Sequence, residues 1–342
     1  MDVRDSPEQA ELRRSARQLA RELGPGTVAA LDDAARRDRL AAAVRAAGWL
    51  ELRDDGGDGA PLAGGFETAI VAEALGEAVA DAPFTGQVLA RDLLRRAGAT
   101  SGDAVVAFAP DLVGAAVVDG PTTTEPLYAP DAGGSATHAL VLTPAGGDFR
   151  LARVAAGQPA VGTDLTRAVA TVPSGSRVES LDGELVTDAL TAWTALGLAL
   201  TSADLVGVMR GVLDVTVAYA AERKQYGVPV GSFQAVQHLL ADARCLLEGS
   251  VSAALYASWA VDNEPPERAV EAGRVAKAYC SRAALTVNET AVQVHGGIGN
   301  TWECIAHVFL RRALLSAQWF GDDAVQLNAL RHERLGVPVG LP

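Results

Sequence analysis

Two cations at the end of a long apolar run are the first residues that could do chemistry. Arg223 and Lys224 are followed by a loop rich in Gly and Pro, and then by Ser232, which is predicted to cap a new helix. The first-turn amides of a helix and an arginine guanidinium together can bind a phosphate group. Two cations that merely balance the dipole at a helix C-terminus would give the same pattern. The residues of this segment alone leave both interpretations open.

A second candidate lies about 70 residues further on. Gly296, Gly297 and Gly299 fall within four residues, directly after a predicted helix. Glycines permit a backbone or a ligand to approach closely, because they lack a Cβ atom. A simple helix cap followed by a turn would also use glycine.

Several other chemistries are not supported by the sequence. The five histidines form no zinc motif, and no phosphate-binding P-loop, Rossmann fingerprint or serine-hydrolase elbow is present. Cys245, Cys280 and Cys304 are predicted to be reduced thiols. The acidic and glycine-rich segment 54–59 lacks the glutamate of a calcium loop, because Leu62 stands at that position. We therefore predict a flexible loop there and no metal site.

The overall composition narrows the possible partners. The chain has 342 residues with 29 basic and 42 acidic side chains, which gives a net charge of −13. This charge opposes binding to nucleic acid and to anionic membranes. The first residues form no apolar signal segment, and the most apolar stretch, 196–209, is too short for a membrane span. We expect a cytoplasmic protein without a membrane span.

Residue periodicity predicts helices at both ends of the chain and strands between them. Predicted helices cover 7–23, 37–47, 66–78 and 86–97, and later 188–223, 233–259, 266–295, 302–320 and 322–334. Predicted strands cover 104–109, 112–118, 139–143, 149–154 and 168–172, with a loop at 120–134. This segregation predicts an α+β fold with a helical domain at 1–102, a small β domain at 103–182 and a helical bundle at 183–342.

Both candidate segments, taken together with the order of the elements, resemble the acyl-CoA dehydrogenase family. The segment 223–234 fits the family element R-x-x-[FY]-G…F-Q, and 293–299 fits Q-x-x-G-G-x-G. An arginine-bearing helix at 309–312 and the segments 48–50, 56–59 and 71–76 fit as well. The resemblance implies an N-terminal helical domain, a middle β domain and a C-terminal four-helix bundle. It also implies FAD, held between the β domain and the bundle of one subunit and reaching into the neighbouring subunit.

The resemblance assigns candidate cofactor contacts residue by residue. Arg223, Gln225, Phe233 and Gln234 would meet the FAD pyrophosphate and adenosine, and Gln293, Gly296 and Gly297 would line the adenine end. In the family these are the contacts that one subunit offers to the flavin of its partner.

The catalytic base of the family is missing from this sequence. Most members carry a glutamate just before a glycine after the arginine-bearing helix, where this chain has Phe320. Other members place the base on the first long bundle helix, at the position of Gly197. Neither residue accepts a proton, so we assign no catalytic residue. The flavin-facing T-E-P-x-x-G-S-D loop is also absent; the segment 124–126 is a chance echo of it, and the shortened β domain is expected to lack a seat for the flavin ring.

The sequence therefore favours a non-catalytic subunit of a heteromeric acyl-CoA dehydrogenase. The resemblance implies an α2β2 heterotetramer of the actinobacterial steroid side-chain type, which introduces an α,β double bond into an acyl-CoA thioester. A catalytic subunit would supply the base, and an electron-transfer flavoprotein would accept the electrons. One alternative is a homomeric flavoenzyme with a relocated base at Asp204, Asp322 or Asp323. A flavin-free scaffold is the other.

Overall fold

Four helices precede the strands. The computed structural model describes residues 4–101, 103–133 and 136–336. The first helices are α1 (Pro7–Leu23), α2 (Ala34–Ala46), α3 (Gly65–Glu77) and α4 (Thr85–Ala97). Ser6 and Gln9 form a reciprocal capping box at the start of α1, as expected from a serine followed by proline. Helix α2 begins before the predicted residue 37, because the Asp33 carboxylate accepts a hydrogen bond of 2.9 Å from the amide of Arg36.

The middle region contains two small sheets. The strands are β1 (Ala104–Val106), β2 (Leu127–Pro130), β3 (His138–Ala145), β4 (Asp148–Ala155), β5 (Ala160–Val161), β6 (Ala168–Val172) and β7 (Glu179–Leu185). One sheet has the order β1-β3-β4-β7, with β1 parallel to β3 and the other pairs antiparallel. The other is antiparallel, with the order β2-β6-β5.

Three predictions for the middle region were wrong. The segment 112–118 forms only isolated bridges, such as Val117 with Leu142, instead of a strand. Strand β2 lies inside the predicted loop 120–134, whose last residue, Gly134, is outside the described residues. Strands β5 and β7 were not predicted, and β7 continues past the predicted domain limit at 182. The limits of the three domains, including Gly102, which is also outside the described residues, remain a prediction.

The last part of the chain is a helical bundle. Its elements are α5 (Thr187–Glu222), a hairpin of β8 (Lys224–Gln225) and β9 (Val228–Pro229), α6 (Gln234–Asn263), α7 (Pro266–His295), α8 (Ala306–Gln318) and α9 (Asp323–Leu335). Helix α8 starts later than the predicted residue 302, because the segment before it forms turns. The order of helices, strands and helices confirms the predicted α+β fold.

Helix α5 is the central element of the bundle and packs against α3, α6, α7 and α8. Within the part of the chain that the structure describes, it alone is long and apolar enough to cross a membrane. Its most apolar stretch is, however, 94% buried inside the protein. Such burial is what a core helix requires, because it is apolar on every side.

Candidate functional site

The predicted phosphate-binding segment forms a tight hairpin at the end of α5. Strands β8 and β9 pair around Tyr226 and Gly227, which both have positive φ angles, of 54° and 84°. This conformation is typical of a two-residue hairpin turn, and it explains the glycine. The Tyr226 side chain is 96% exposed. The amide of Arg223, at the root of the hairpin, donates a 2.8 Å hydrogen bond to the carbonyl of Tyr219.

Helix α6 begins without a side-chain cap. Ser232, which was predicted to cap it, lies in a short 3-10 turn and donates its hydroxyl to the carbonyl of Pro229 at 2.7 Å. The helix starts instead at Gln234, with Phe233 at the N-cap position. The prediction was wrong because the turn directs the serine away from the helix. The first amides of α6 consequently have no side-chain acceptor, and this arrangement favours an external anion.

The glycine-rich element follows the last residue of α7, His295. Gly296 has a φ of +66°, so its left-handed conformation suits glycine. A Cβ atom added to Gly296 or Gly297 would have no atom within 4 Å. Both residues are exposed, so their backbone is accessible to a ligand.

An aromatic contact links the ends of α5 and α7 that precede the two segments, and the two helices also pack along their length. The rings of Tyr219, before the hairpin, and His295, before the glycines, stack with their centroids 4.4 Å apart. All seven predicted contacts are exposed, and we call them the bundle-end surface: Arg223, Gln225, Phe233, Gln234, Gln293, Gly296 and Gly297.

The donor set of the bundle-end surface fits one end of FAD. Arg223 and the uncapped amides of α6 can bind the pyrophosphate. The glutamine amides can each donate to and accept from the edge of an adenine ring. The individual contacts remain predictions.

Gly197 and Phe320, the positions at which the resemblance predicts the base, lie against each other, and the Phe320 ring occupies the space beside Gly197. A Cβ atom added to Gly197 would be 2.1 Å from Cζ of Phe320. The Phe320 ring is almost completely buried, and its centroid lies 5.3 Å from those of both Phe108 and Trp193. Together with Trp319 these residues form the aromatic cluster. A proton cannot be abstracted at either position, because no proton acceptor is present there.

The contact between Gly197 and Phe320 gives a direct prediction. Gly197→Ala is expected to lower the free energy of unfolding by about 1–3 kcal/mol, because the new methyl group would overlap the phenyl ring. The second substitution Phe320→Leu should recover part of this loss by making room. Urea denaturation of the single and double variants measures both effects. Additive losses would show that the two residues do not share this space.

Asp204, the first alternative base, is held in a buried ionic network. Its Oδ1 atom accepts hydrogen bonds from Arg167 at 2.6 Å and from Arg312 at 2.7 Å, and its Oδ2 atom accepts one from Ser316 at 2.7 Å. We call these four residues the ionic network. The two guanidinium groups hold the pKa of Asp204 well below its usual range. The carboxylate is therefore a poor proton acceptor.

The ionic network also joins the three parts of the fold. Nη1 of Arg312 donates to the carbonyl of Ala80 at 2.8 Å and to Oγ1 of Thr166 at 3.1 Å. Asp204 is buried and pairs α5 with α8 through Arg312. The sequence signal was a single acid inside the apolar stretch 196–209.

Asp322 and Asp323, the other two alternative bases, lie at the start of α9. Oδ1 of Asp322 accepts a 2.9 Å hydrogen bond from the amide of Val325 and so caps α9. Asp323 lies in the first turn of the same helix. Acidic residues at these positions stabilise a helix N-terminus.

In the acidic loop at 54–59, a side-chain carboxylate accepts hydrogen bonds from backbone amides of the same loop. Oδ1 of Asp55 accepts hydrogen bonds from the amides of Gly57 at 2.8 Å and Gly59 at 2.9 Å. No group of three possible metal ligands occurs in the described ranges. The three cysteines are free, with Cys245 exposed and the other two buried.

A cleft separates the β region from α8. Its volume is about 410 Å³, and its walls are mainly apolar, with Leu112, Val169 and Leu315 among the lining residues. Arg167 also lines the cleft, but its guanidinium is already bound to Asp204 and Ser316. The segment 124–126 is not among the residues that line the cleft and lies on an exposed bend.

Comparison with known proteins identifies the family. A sequence profile described as "Acyl-CoA dehydrogenase, C-terminal domain" matches residues 191–334. The acyl-CoA dehydrogenase IpdE2 of Mycolicibacterium smegmatis is 30% identical over 299 residues, which are 85% of each chain. The chain belongs to the acyl-CoA dehydrogenase family. This confirms the family resemblance, and it places the chain in a family of FAD-dependent oxidoreductases.

Other similar proteins extend this comparison. The acyl-CoA dehydrogenase FadE34 of Mycobacterium tuberculosis is 38% identical over 188 residues, which are 53% of this chain but only 25% of that protein. The structure of the ChsE4-ChsE5 complex from Mycobacterium tuberculosis matches with a TM-score of 0.78 and 25% identity, over 99% of this chain and 100% of that chain. The structure titled "Tcur3481-Tcur3483 steroid ACAD G363A variant" matches with a TM-score of 0.77 and 23% identity, over 94% and 96%. This last likeness concerns the fold alone.

Proposed function

We propose that this acyl-CoA dehydrogenase chain is a non-catalytic subunit that completes the FAD site of a catalytic partner subunit. The observation that carries the proposal is the contact between Phe320 and Gly197. Both positions that could hold a base lack a carboxylate, and the aromatic cluster fills the space between them. A subunit built in this way needs a partner to abstract the substrate α-proton.

The bundle-end surface is the part that this chain would give to the shared site. Arg223 and the first amides of α6 would bind the pyrophosphate of the partner's FAD, and Gln293 with the backbone of Gly296 and Gly297 would contact the adenine. FAD supplies a hydride acceptor when it is bound. The residues of this chain orient the cofactor from its distal end and take no part in the proton transfer.

The proposal also covers the assembly in which the chain acts and the substrate of that assembly. The names ChsE4-ChsE5 and Tcur3481-Tcur3483 each describe two proteins, and this supports a heteromer, for which we propose α2β2. One of these names includes the word steroid, and this supports a bulky steroid acyl-CoA thioester as substrate. The proposal includes α,β-desaturation of that thioester, electron transfer to an electron-transfer flavoprotein, and a cytoplasmic location.

The decisive experiment measures flavin content per chain together with oligomer mass. The chain is purified alone and then after co-expression with candidate glutamate-bearing subunits. We expect a colourless isolated chain, and a yellow complex that contains one FAD for every two chains. Isolated protein with one FAD per chain would contradict the proposal and favour the homomeric flavoenzyme with a relocated base. A heteromer that forms without any flavin would favour the scaffold alternative.

A further inference from the structure

Tyr219 connects the root of the hairpin to the body of the bundle. It lies half-buried in the last turn of α5. Its carbonyl accepts the 2.8 Å hydrogen bond from the amide of Arg223, and the carbonyl of Arg223 accepts one of 2.7 Å from the amide of Val230. Arg223 therefore links the hairpin to α5, because its backbone is hydrogen-bonded both to Val230 and to Tyr219.

The side chain of Tyr219 reaches the other segment. Its ring stacks on His295 at an interplanar angle of 25°, and its hydroxyl donates to the His295 carbonyl at 3.4 Å. His295 is itself fixed, because it is buried and its Nδ1 atom is 2.8 Å from the carbonyl of Ala291. A carbonyl only accepts hydrogen bonds, so Nδ1 carries the proton. Gly296, the next residue, donates its amide to the carbonyl of Gln293.

We propose that Tyr219 and His295 are positioning residues that set the distance between the hairpin and the glycine-rich turn. Neither residue belongs to the predicted contacts. Both segments of the bundle-end surface are exposed, so their relative placement depends on the packing of α5 against α7, to which the stack of Tyr219 on His295 contributes beside both segments. A cofactor that touches both segments would need that placement to exist before binding, since preorganised sites bind more tightly. This inference rests on the proposed function and deepens it.

The first test uses the chain alone and needs neither flavin nor partner. In Tyr219→Leu, hydrogen exchange measured by mass spectrometry should become faster in peptides that cover 223–233 and 293–301. Tyr219→Phe keeps the ring and should preserve most of the protection. The matched control is Tyr256→Leu, which removes a tyrosine stacked on Trp259 on a different helix face. If exchange in the two peptides is the same in Tyr219→Leu as in the wild type, the positioning role is wrong, whatever the function.

The second test measures FAD affinity of the co-expressed complex from flavin fluorescence. Tyr219→Leu should weaken binding about tenfold, the scale of one lost aromatic stack, while Tyr219→Phe and Tyr256→Leu should bind as the wild type does. Arg223→Ala tests the direct contact in parallel. If Arg223→Ala weakens binding and Tyr219→Leu does not, the inference fails and the proposed function stands. If Arg223→Ala does not weaken FAD binding, the proposed function is contradicted, whatever the result for Tyr219→Leu.

Discussion

Asp204→Asn is expected to lower the free energy of unfolding by about 3–5 kcal/mol, the range for breaking a buried ion pair by removing one partner. The substitution would leave the guanidinium groups of Arg167 and Arg312 buried without their shared countercharge. Urea denaturation of the purified chain measures the loss. Asp214→Asn is the matched control, since Asp214 is an exposed acid on the same helix. The free energy of unfolding of the Asp214→Asn variant should differ from that of the wild type by less than about 0.5 kcal/mol.

The pH dependence of the same variant provides a second check. The pKa of Asp204 is lower in the folded protein than in the unfolded chain. The stability that it contributes is therefore complete above the unfolded pKa of about 4 and decreases as the pH falls below that value. Asp204→Asn should consequently lose less stability in acid than the wild type. Parallel acid profiles for both proteins would contradict the ionic network as described.

Phe320→Glu, which restores the residue type of the usual base, is expected to destabilise the chain and to give no dehydrogenase activity. Loss of a buried phenylalanine ring costs about 3–5 kcal/mol, and burial of a carboxylate in the aromatic cluster adds to this loss. The matched control Phe320→Leu keeps an apolar side chain and should lose much less stability. Thermal unfolding and acyl-CoA oxidation by the isolated variant provide the two measurements. If Phe320→Glu oxidised acyl-CoA, the space around Gly197 would have to admit a substrate, in contradiction to the filled site.

Much of the helical framework could be predicted because its signals are local. Ser6 followed by Pro7 marks the start of α1, and Asp322 caps α9, since a cap depends on residues within one turn. The glycines at 296 and 297 were singled out for the same reason, because they follow a helix end directly. The family followed from such local motifs and their order along the chain.

Strand pairing and the details of the turns could not be predicted, because they depend on distant partners. Strand β2 pairs with β6, about 40 residues away in the chain, and such pairing leaves little trace in a short segment. The segment 112–118 has strand-like composition but finds no continuous partner. Ser232 has the residue type of a helix cap, but the 3-10 turn controls its direction.

The candidate site was predicted only in part. The absence of a base at Gly197 and Phe320 was evident from residue types. Their mutual contact was not, because Gly197 lies in α5 and Phe320 in the turn between α8 and α9, so that they meet only through tertiary packing. The stack of Tyr219 on His295 was missed for the same reason, although both residues stand close to the recognised motifs.

The ionic network also determines when the chain can complete its fold during synthesis. Arg312 donates to Ala80, a residue that precedes it by 232 positions. At a ribosomal rate of about 5–20 residues per second, that separation corresponds to more than ten seconds of translation. Asp204 precedes Arg312 by 108 positions, so its carboxylate waits about five seconds or longer for this partner. The ionic network can therefore close only after α8 has been synthesised.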